Sequence, residues 1–213
     1  MAALELLLAS ASPRRHEILD QLGIAHRVVH VPAPEGEDEP RLPGETPRCY
    51  VCRTAREKAQ QALAWLQGLH TYPRTHHDAP ALPRPEHALV LTADTCVVLD
   101  GEILGKPADA DDAAASLRRL SGRSHQVMTA VVLAHGDRRL EALQESIVQF
   151  AVLDDDMIAR YCAGGEPMGK AGAYAIQGRA AAFVRHLSGS HSGVMGLPAY
   201  ETIQLLRRAG MPV

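Results

Sequence analysis

The chain is poor in aromatic residues: of 213 residues only 4% are Phe, Trp or Tyr, so a core must rest on Leu, Val, Ile and Ala. Its four cysteines fit a reducing compartment better than a disulfide framework. Cys49 and Cys52 form a C-x-x-C, but inside a helical pattern and without a second pair or a nearby C-x-x-H to complete a zinc set. They read as small helix-packing residues. The formal charge of -3 advertises no basic face for nucleic acid. No run approaches the ~18 apolar residues of a membrane span, and Glu5 interrupts the only N-terminal apolar run, which removes the signal-peptide pattern. The expectation is a soluble, cytoplasmic protein with no nucleic-acid or membrane partner and with room for a homodimer. G-x-x-x-x-G-K-[ST] is absent, which excludes a P-loop NTPase, and G-x-G-x-x-G, H-E-x-x-H and G-x-S-x-G are missing too. No internal repeat or linker divides the chain.

What is present begins at the N-terminus. Leu4 to Ala9 has the length of a buried strand, and it runs into Ser10-Ala11-Ser12-Pro13-Arg14-Arg15. Ser12 is a helix N-cap and Pro13 suits the first helical position. Ile18, Leu19 and Leu22 then share one face, and Gly23 supplies a left-handed stop. Strand, tight loop and helix start place free N–H groups, two hydroxyls (Ser10, Ser12) and two guanidinium groups (Arg14, Arg15) together. That is the chemistry of a phosphate cradle; a capped helix with two solvated arginines is the plain alternative.

Ala25 to Val31 reads as a second strand, followed by an acidic, proline-rich loop to Pro47. Thr46-Pro47 opens a long helix to about Leu66, with Val51, Ala55, Ala59, Ala62, Leu63 and Leu66 as its buried stripe. Gly68 to His87, rich in Pro and His, reads as an inserted surface loop in which His76-His77 are solvated. Ala88 to Ala93 is a buried strand ending on Asp94-Thr95, and Asp100-Gly101 signals a type I′ hairpin. A helix from Asp111 to Leu120 precedes strands at Ser124–Ala134 and Glu145–Leu153, the latter with a broken alternation that implies a bulge or burial on both faces. Asp154 caps a helix carrying Met157, Ile158 and Tyr161. Pro167 to Gly178 is too glycine-rich for a helix and reads as a loop that approaches something closely. A strand near Ala182–Leu187, turns from Ser188 to Gly193 and a closing helix with Tyr200, Ile203 and Leu206 complete the chain.

Asp94 is the sharpest single residue. In α/β sheets ligands gather beyond the carboxyl ends of strands, where a carboxylate can hold Mg²⁺ or orient a water; capping its own turn is the bland alternative. Lys58, Lys106 and Lys170 lie where they could reach it. With Arg14 and Arg15 they balance an otherwise acidic protein, as suits a polyanionic small molecule bound through a divalent metal. His125 offers a general acid, though a histidine entering a strand is more often a structural hydrogen-bonder.

The ordered set Leu8-Ala9-Ser10-Ala11-Ser12-Pro13-Arg14-Arg15, Arg56-Glu57-Lys58-Ala59, Ala93-Asp94-Thr95, Gly105-Lys106-Pro107, Lys170-Ala171-Gly172-Ala173-Tyr174 and Gly196-Leu197-Pro198 resembles the Maf family of nucleoside triphosphate pyrophosphatases. The likeness runs from Leu4 to about Arg208. An Arg directly after Ser-Pro and the Ala173-Tyr174-Ala175-Ile176-Gln177-Gly178 segment resemble the branch that acts on dTTP and UTP. The resemblance implies an α/β fold with an elongated, twisted mixed sheet flanked by helices, in two lobes around a nucleotide-binding cleft, as one domain over 1–213 with an insertion at about 68–87. It makes Asp94 the proton acceptor and gives Lys58 and Lys106 catalytic positions. Ser10, Arg15 and Lys170 line the substrate cleft, and Arg14, Thr95 and Gln177 set base preference. A divalent cation (Mg²⁺ or Mn²⁺) would sit on Asp94, and Glu39 in the acidic loop best fits a family glutamate there. The implied activity removes pyrophosphate from dTTP and UTP and cleans out non-standard pyrimidine nucleotides. The alternative is a non-catalytic nucleotide-binding regulator of cell division.

Overall fold

A computed structural model describes residues 4–32, 39–71 and 82–213. The chain opens with β1 (Glu5–Ala9), α1 (Pro13–Gln21) and β2 (Arg27–Val29), runs through the long α2 (Pro47–Thr71) and returns as β3 (Ala88–Leu99). The short β4 (Glu102–Leu104) and α3 (Ala110–Leu120) lead to a long hairpin of β5 (Ser124–His135) and β6 (Arg138–Phe150). α4 (Asp155–Ala163), β7 (Val184–Ser188), α5 (His191–Met195) and α6 (Ala199–Arg208) follow.

These strands form one seven-stranded mixed sheet in the order β2-β1-β3-β5-β6-β7, with β4 added to β3. The crossover helices α1 and α2 make β1 parallel to both β2 and β3, whereas the hairpin-connected strands are antiparallel. β3 is buried on both faces, which is why it reads as a continuous apolar run. Leu89, Leu91 and Ala93 pack with Ile18 and Leu19 of α1 and Leu205 and Leu206 of α6. Val90, Cys96 and Val98 turn to the other face, against Val51, Ala55, Ala59 and Ala62 of α2. A further cluster beyond the end of β3 joins Leu99, Leu117, Phe150, Ile158, Tyr161 and Tyr174. The architecture is the expected α/β one, a mixed sheet flanked by helices.

Local signals hold in most places. Asp100 and Gly101 have φ of 52° and 82°, as a type I′ turn requires. Thr46 and Asp154 cap α2 and α4 through their side chains, at 3.2 Å to Cys49 N–H and 2.7 Å to Met157 N–H. All six stripe residues of α2 are buried. The broken alternation of β6 coincides with a register shift at Gln149/Phe150.

Other expectations need correction. β3 does not end at Asp94: it is a single strand of 12 residues, and Asp94 lies in its middle. α2 extends beyond Leu66 to Thr71, and Pro85–His87 form a 3₁₀ turn, so part of the segment read as loop is helical; His76 and His77 lie outside the described residues. β2 is shorter than Ala25–Val31. β6 starts earlier than Glu145, because its polar first half faces α2 through ion pairs of Glu141 with Arg56 and Glu145 with Arg48 rather than through apolar alternation. Ser190 caps Gly193 N–H at 3.0 Å and starts the short helix α5 where only turns were expected. Leu22 and Tyr200 leave their helical faces and are exposed: Leu22 has become the C-cap of α1, and the buried stripe of α6 is Thr202, Leu205 and Leu206.

Candidate active site

The site arises from a gap in the sheet. One edge of β3 pairs with β5 from Val90 to Val98. On the other edge β1 covers Ala88–Leu91 and β4 covers Val97–Leu99, leaving Thr92 to Cys96 with no strand beside them among the described residues. Side chains alternate along a strand, so Asp94 turns toward α2 while Thr95 turns toward α1 and α5. At the gap both reach the same cleft.

On the α2 side, Asp94 is only 4% exposed. Its Oδ1 accepts from Lys58 Nζ at 2.7 Å and its Oδ2 from Thr54 Oγ at 2.8 Å. Thr54 and Lys58 are one turn apart on α2, so one helical face grips both carboxylate oxygens. Thr92 Oγ donates to the Ala55 carbonyl at 2.9 Å and pins that helix to the strand. Lys58 also pairs with Glu39, so a single ammonium is shared by two carboxylates.

On the α1 side, Arg15 is held at three points: Nε donates to the Gly196 carbonyl at 2.8 Å, Nη1 to Ser10 Oγ at 3.0 Å and Nη2 to Thr95 Oγ at 3.4 Å. Thr95 and Thr129 hydroxyls are 2.9 Å apart, and Thr129 donates to the Gly193 carbonyl at 2.7 Å. Each hydroxyl has one hydrogen, so Thr95 must donate to Thr129 and accept from Arg15. The chain of donors runs one way, from the guanidinium to α5. Burial lowers the Arg15 pKa while the Asp94 carboxylate draws it back up; a guanidinium stays charged throughout. Arg14 donates from Nε to the Met195 carbonyl at 3.2 Å, and burial lowers its pKa too. Ser12 stands at the N-cap with extended backbone, but its hydroxyl makes no capping bond; its N–H donates instead to Ser10 Oγ at 3.2 Å.

The third wall is the glycine-rich segment from Pro167 to Gly178. Its close approach is to β3: at Gly172, with φ of 66°, an added Cβ would fall 2.8–2.9 Å from the Val97 side-chain carbons. Gly172 N–H also donates to the Gly105 carbonyl at 3.0 Å, bringing this segment beside Lys106. Lys170 Nζ donates to the Glu166 carbonyl at 2.5 Å, and its pKa is lowered by burial and by the Arg14 charge. The Glu166 carboxylate accepts from Tyr161 Oη at 3.0 Å and from Arg179 N–H at 3.1 Å, and Tyr161 Oη accepts from Ala175 N–H at 3.2 Å. Gln177 lies between these two fixed points with its side chain exposed. Gly178 leaves the space that the Glu166 carboxylate fills.

The resulting cleft of about 580 Å³ is lined by Ser10, Ser12, Arg14, Arg15, Glu39, Lys58, Asp94, Thr95, Lys106, Lys170 and Gln177, so the cradle residues, the three lysines, both carboxylates and the two further base-reading candidates meet there. Sequence reasoning passed over Thr54, Glu57 and Gln61, which also line it. The signal was present as spacing: Thr54, Lys58 and Gln61 fall at i, i+4 and i+7, the period of one helical face. Also unforeseen were the carbonyls of Met195 and Gly196 that orient the arginines. His125 lies outside the lining. It is 3% exposed, bonds Tyr174 Oη at 2.8 Å and is pushed down to about 4 by burial, which makes it a structural group. All four cysteines are free, Cys49 exposed and Cys52 partly so. Arg53 and Arg56 point elsewhere, to Glu45 and Glu57 and to Glu141.

Clustered cations, paired carboxylates and a nucleotide-sized cleft on a mixed sheet define an α/β protein equipped to hold a polyanion. Residues 5–209 match the Maf-like protein family, and the chain belongs to it. It is 54% identical to the dTTP/UTP pyrophosphatase of Bordetella avium (strain 197N), over 97% of this chain and 96% of that one. With the dTTP/UTP pyrophosphatase of Burkholderia pseudomallei (strain K96243) identity is 52%, over 95% and 92% of the two chains. With that of Xanthomonas campestris pv. campestris it is 51%, over 96% and 98%. Among the described residues no helix is long and apolar enough to cross a membrane.

Proposed function

We propose that this chain is a nucleoside triphosphate pyrophosphatase that hydrolyses dTTP and UTP to the monophosphate and pyrophosphate, the whole chain acting as one domain. The observation that carries the reading is Asp94: a buried carboxylate, gripped at both oxygens, in a cleft whose other charged groups are mostly cations. The names of the relatives point to the same activity.

A carboxylate oxygen has two acceptor positions. Lys58 and Thr54 take one on each oxygen of Asp94, which leaves room to accept from a water. Asp94 orients that water toward the α-phosphorus and takes its proton as the oxygen–phosphorus bond forms. The bond from the α-phosphorus to the bridging oxygen breaks, and the electron pair leaves with pyrophosphate. Of the five N–H donors of a guanidinium, Arg15 commits three to Gly196, Ser10 and Thr95. The rest meet phosphate oxygens from a position that needs no rearrangement. Lys106 and Lys170 stabilise charge on the leaving group. Asp94 and Glu39, hard oxygen donors sharing one ammonium, fit Mg²⁺ or Mn²⁺ as ligands. When bound, such an ion supplies neutralisation of phosphate oxygens and acidity for water. Nothing in the cleft forms a covalent intermediate in this scheme; water attacks directly.

Arg14, Thr95 and Gln177 are the base-reading positions. A glutamine amide offers a donor and an acceptor side by side, matching a carbonyl and N3–H of uracil or thymine. Cytosine presents the opposite polarity unless the amide flips; where the bound nucleotide buries Gln177 and the loop locks it in one orientation, a mismatch of that kind discriminates by about 10⁴ or more. The thymine methyl is worth only about 1–3 kcal/mol, so dTTP and UTP should lie within about two decades of each other. The test is product analysis with UTP and Mg²⁺ or Mn²⁺. Pyrophosphate release supports the reading, orthophosphate release makes the chain a phosphatase, and binding without turnover makes it a nucleotide-responsive regulator.

A further inference from the structure

Outside the cleft lies a cluster that this chemistry does not use. His16 and Asp20 are one turn apart on α1, and His26 follows in the connection to β2. Ligand atoms of all three lie within 4.8 Å of one another. The Nδ1 of His26 is 2.8 Å from the Ile24 carbonyl. A carbonyl only accepts, so this nitrogen carries the ring hydrogen and Nε2 presents a lone pair. That lone pair meets His16 Nδ1 at 2.7 Å, while His16 Nε2 lies 3.3 Å from Asp20 Oδ2. The carboxylate also only accepts. A neutral His16 ring has one hydrogen for two contacts that each need one, so with both rings neutral one contact sets lone pair against lone pair, and a bound cation or an added ring proton is what relieves it.

The arrangement is short of a positive centre, and we propose that it is a binding site for a divalent transition metal ion of the zinc class. His16 Nδ1 and His26 Nε2 are the ligands, and water completes the coordination. With the ion present, His16 carries its hydrogen on Nε2 and donates it to Asp20, so both rings are oriented from behind: His16 by a carboxylate and His26 by the Ile24 carbonyl. Such outer partners are what metal-bound imidazoles regularly use. Zinc–nitrogen bonds of about 2.0–2.1 Å at a tetrahedral angle separate two ligand nitrogens by about 3.3 Å. The two nitrogens need therefore separate by about half an ångström from their present contact, with the rings turning so that both lone pairs converge on the ion. Imidazole nitrogen selects zinc, copper or nickel over the magnesium or calcium that carboxylates and water prefer. This site and the hard-oxygen pair in the cleft are thus chemically distinct, and the proposal does not depend on the activity.

The experiment is a Zn²⁺ titration of the full chain in excess Mg²⁺, followed by NMR of the imidazole ring protons. The expected result is a saturable change in the His16 and His26 signals at one equivalent. His26→Ala should abolish it, Asp20→Asn should weaken binding by about tenfold or more, and the Cys49→Ala/Cys52→Ala double variant should leave it unchanged. Ring signals of His16 and His26 that do not respond to Zn²⁺, or an equivalent that survives His26→Ala, would overturn the proposal.

Discussion

The two ends of the cleft are built differently. Around Asp94 and Arg15 most polar side chains are held on or beside regular elements: Thr54 and Lys58 by a helix face, Thr95 by a strand, Ser10 at the turn that follows β1. Around Gln177 the flanking main chain is held by two side chains, Glu166 accepting from Arg179 N–H and Tyr161 Oη accepting from Ala175 N–H, and the Gln177 side chain, the proposed base reader, is exposed. In the proposed function the buried end holds the groups that every nucleoside triphosphate would meet. Under the proposed function the loop end could vary what it reads without disturbing them, because its anchors, Glu166 and Tyr161, make no hydrogen bond to the groups that hold Asp94. The division we propose from this contrast is chemistry on rigid elements and selectivity on a braced loop.

The sharpest way to break the rigid end is Asp94→Asn. It keeps shape and one acceptor but loses the proposed proton acceptor, so kcat on UTP should fall by about 10²–10⁴, while nucleotide affinity stays within about tenfold. Near-normal kcat in steady-state assays would remove Asp94 from the chemistry. Between the ends, Gly172→Ala puts a Cβ against Val97 at a left-handed residue. Left-handed strain of about 1–2 kcal/mol and overpacking of about 1–3 kcal/mol should lower Tm by several degrees in thermal unfolding.

Below the loop end, His125 supports Tyr174 and is neutral when folded, at about 4 against 6.5 for the free group. The unfolded chain therefore takes up a proton first as pH falls. Stability should decline from about pH 6.5 to about pH 4 and level off below that, by at most about 3 kcal/mol. Urea titrations across that window should show a shallower decline for His125→Gln. The smallest change is Glu166→Gln. It retains the bond to Arg179 N–H but loses charge toward Tyr161, so kcat/KM on UTP should drop by less than about tenfold, with the UTP preference over CTP narrowed. A uniform loss on both nucleotides would mean that Glu166 braces the fold and not the reading loop.

Much of the rigid end was legible because its residues obey strong local rules. Pro13 begins a helix, Asp100-Gly101 forces a hairpin, and the stripe from Val51 to Leu66 has a helical period. Asp94 stood out for an incomplete reason. It looked like a strand terminus, whereas the strand continues and its neighbour stops, a fact of sheet pairing that no local window contains. Thr54 stayed hidden because a threonine among apolar positions packs like valine until its partner across the sheet is known. The bonds from Arg15 and Arg14 to Gly196 and Met195 span almost the whole chain and involve main-chain carbonyls, which carry no side-chain signature. At the loop end the glycines announced a close approach, yet only the structure shows that Val97 and Glu166 are what they approach.

The division of labour is tested most directly by kcat/KM for UTP and CTP in two variants, Thr54→Val and Gln177→Glu. Thr54→Val removes a hydrogen bond to a buried carboxylate worth about 1.5–3 kcal/mol. It should slow both nucleotides together by about 10–100-fold and leave their ratio unchanged. Gln177→Glu removes the amide donor, and should cost UTP far more than CTP and so collapse the ratio. A ratio that shifts with Thr54→Val and holds with Gln177→Glu would contradict the account.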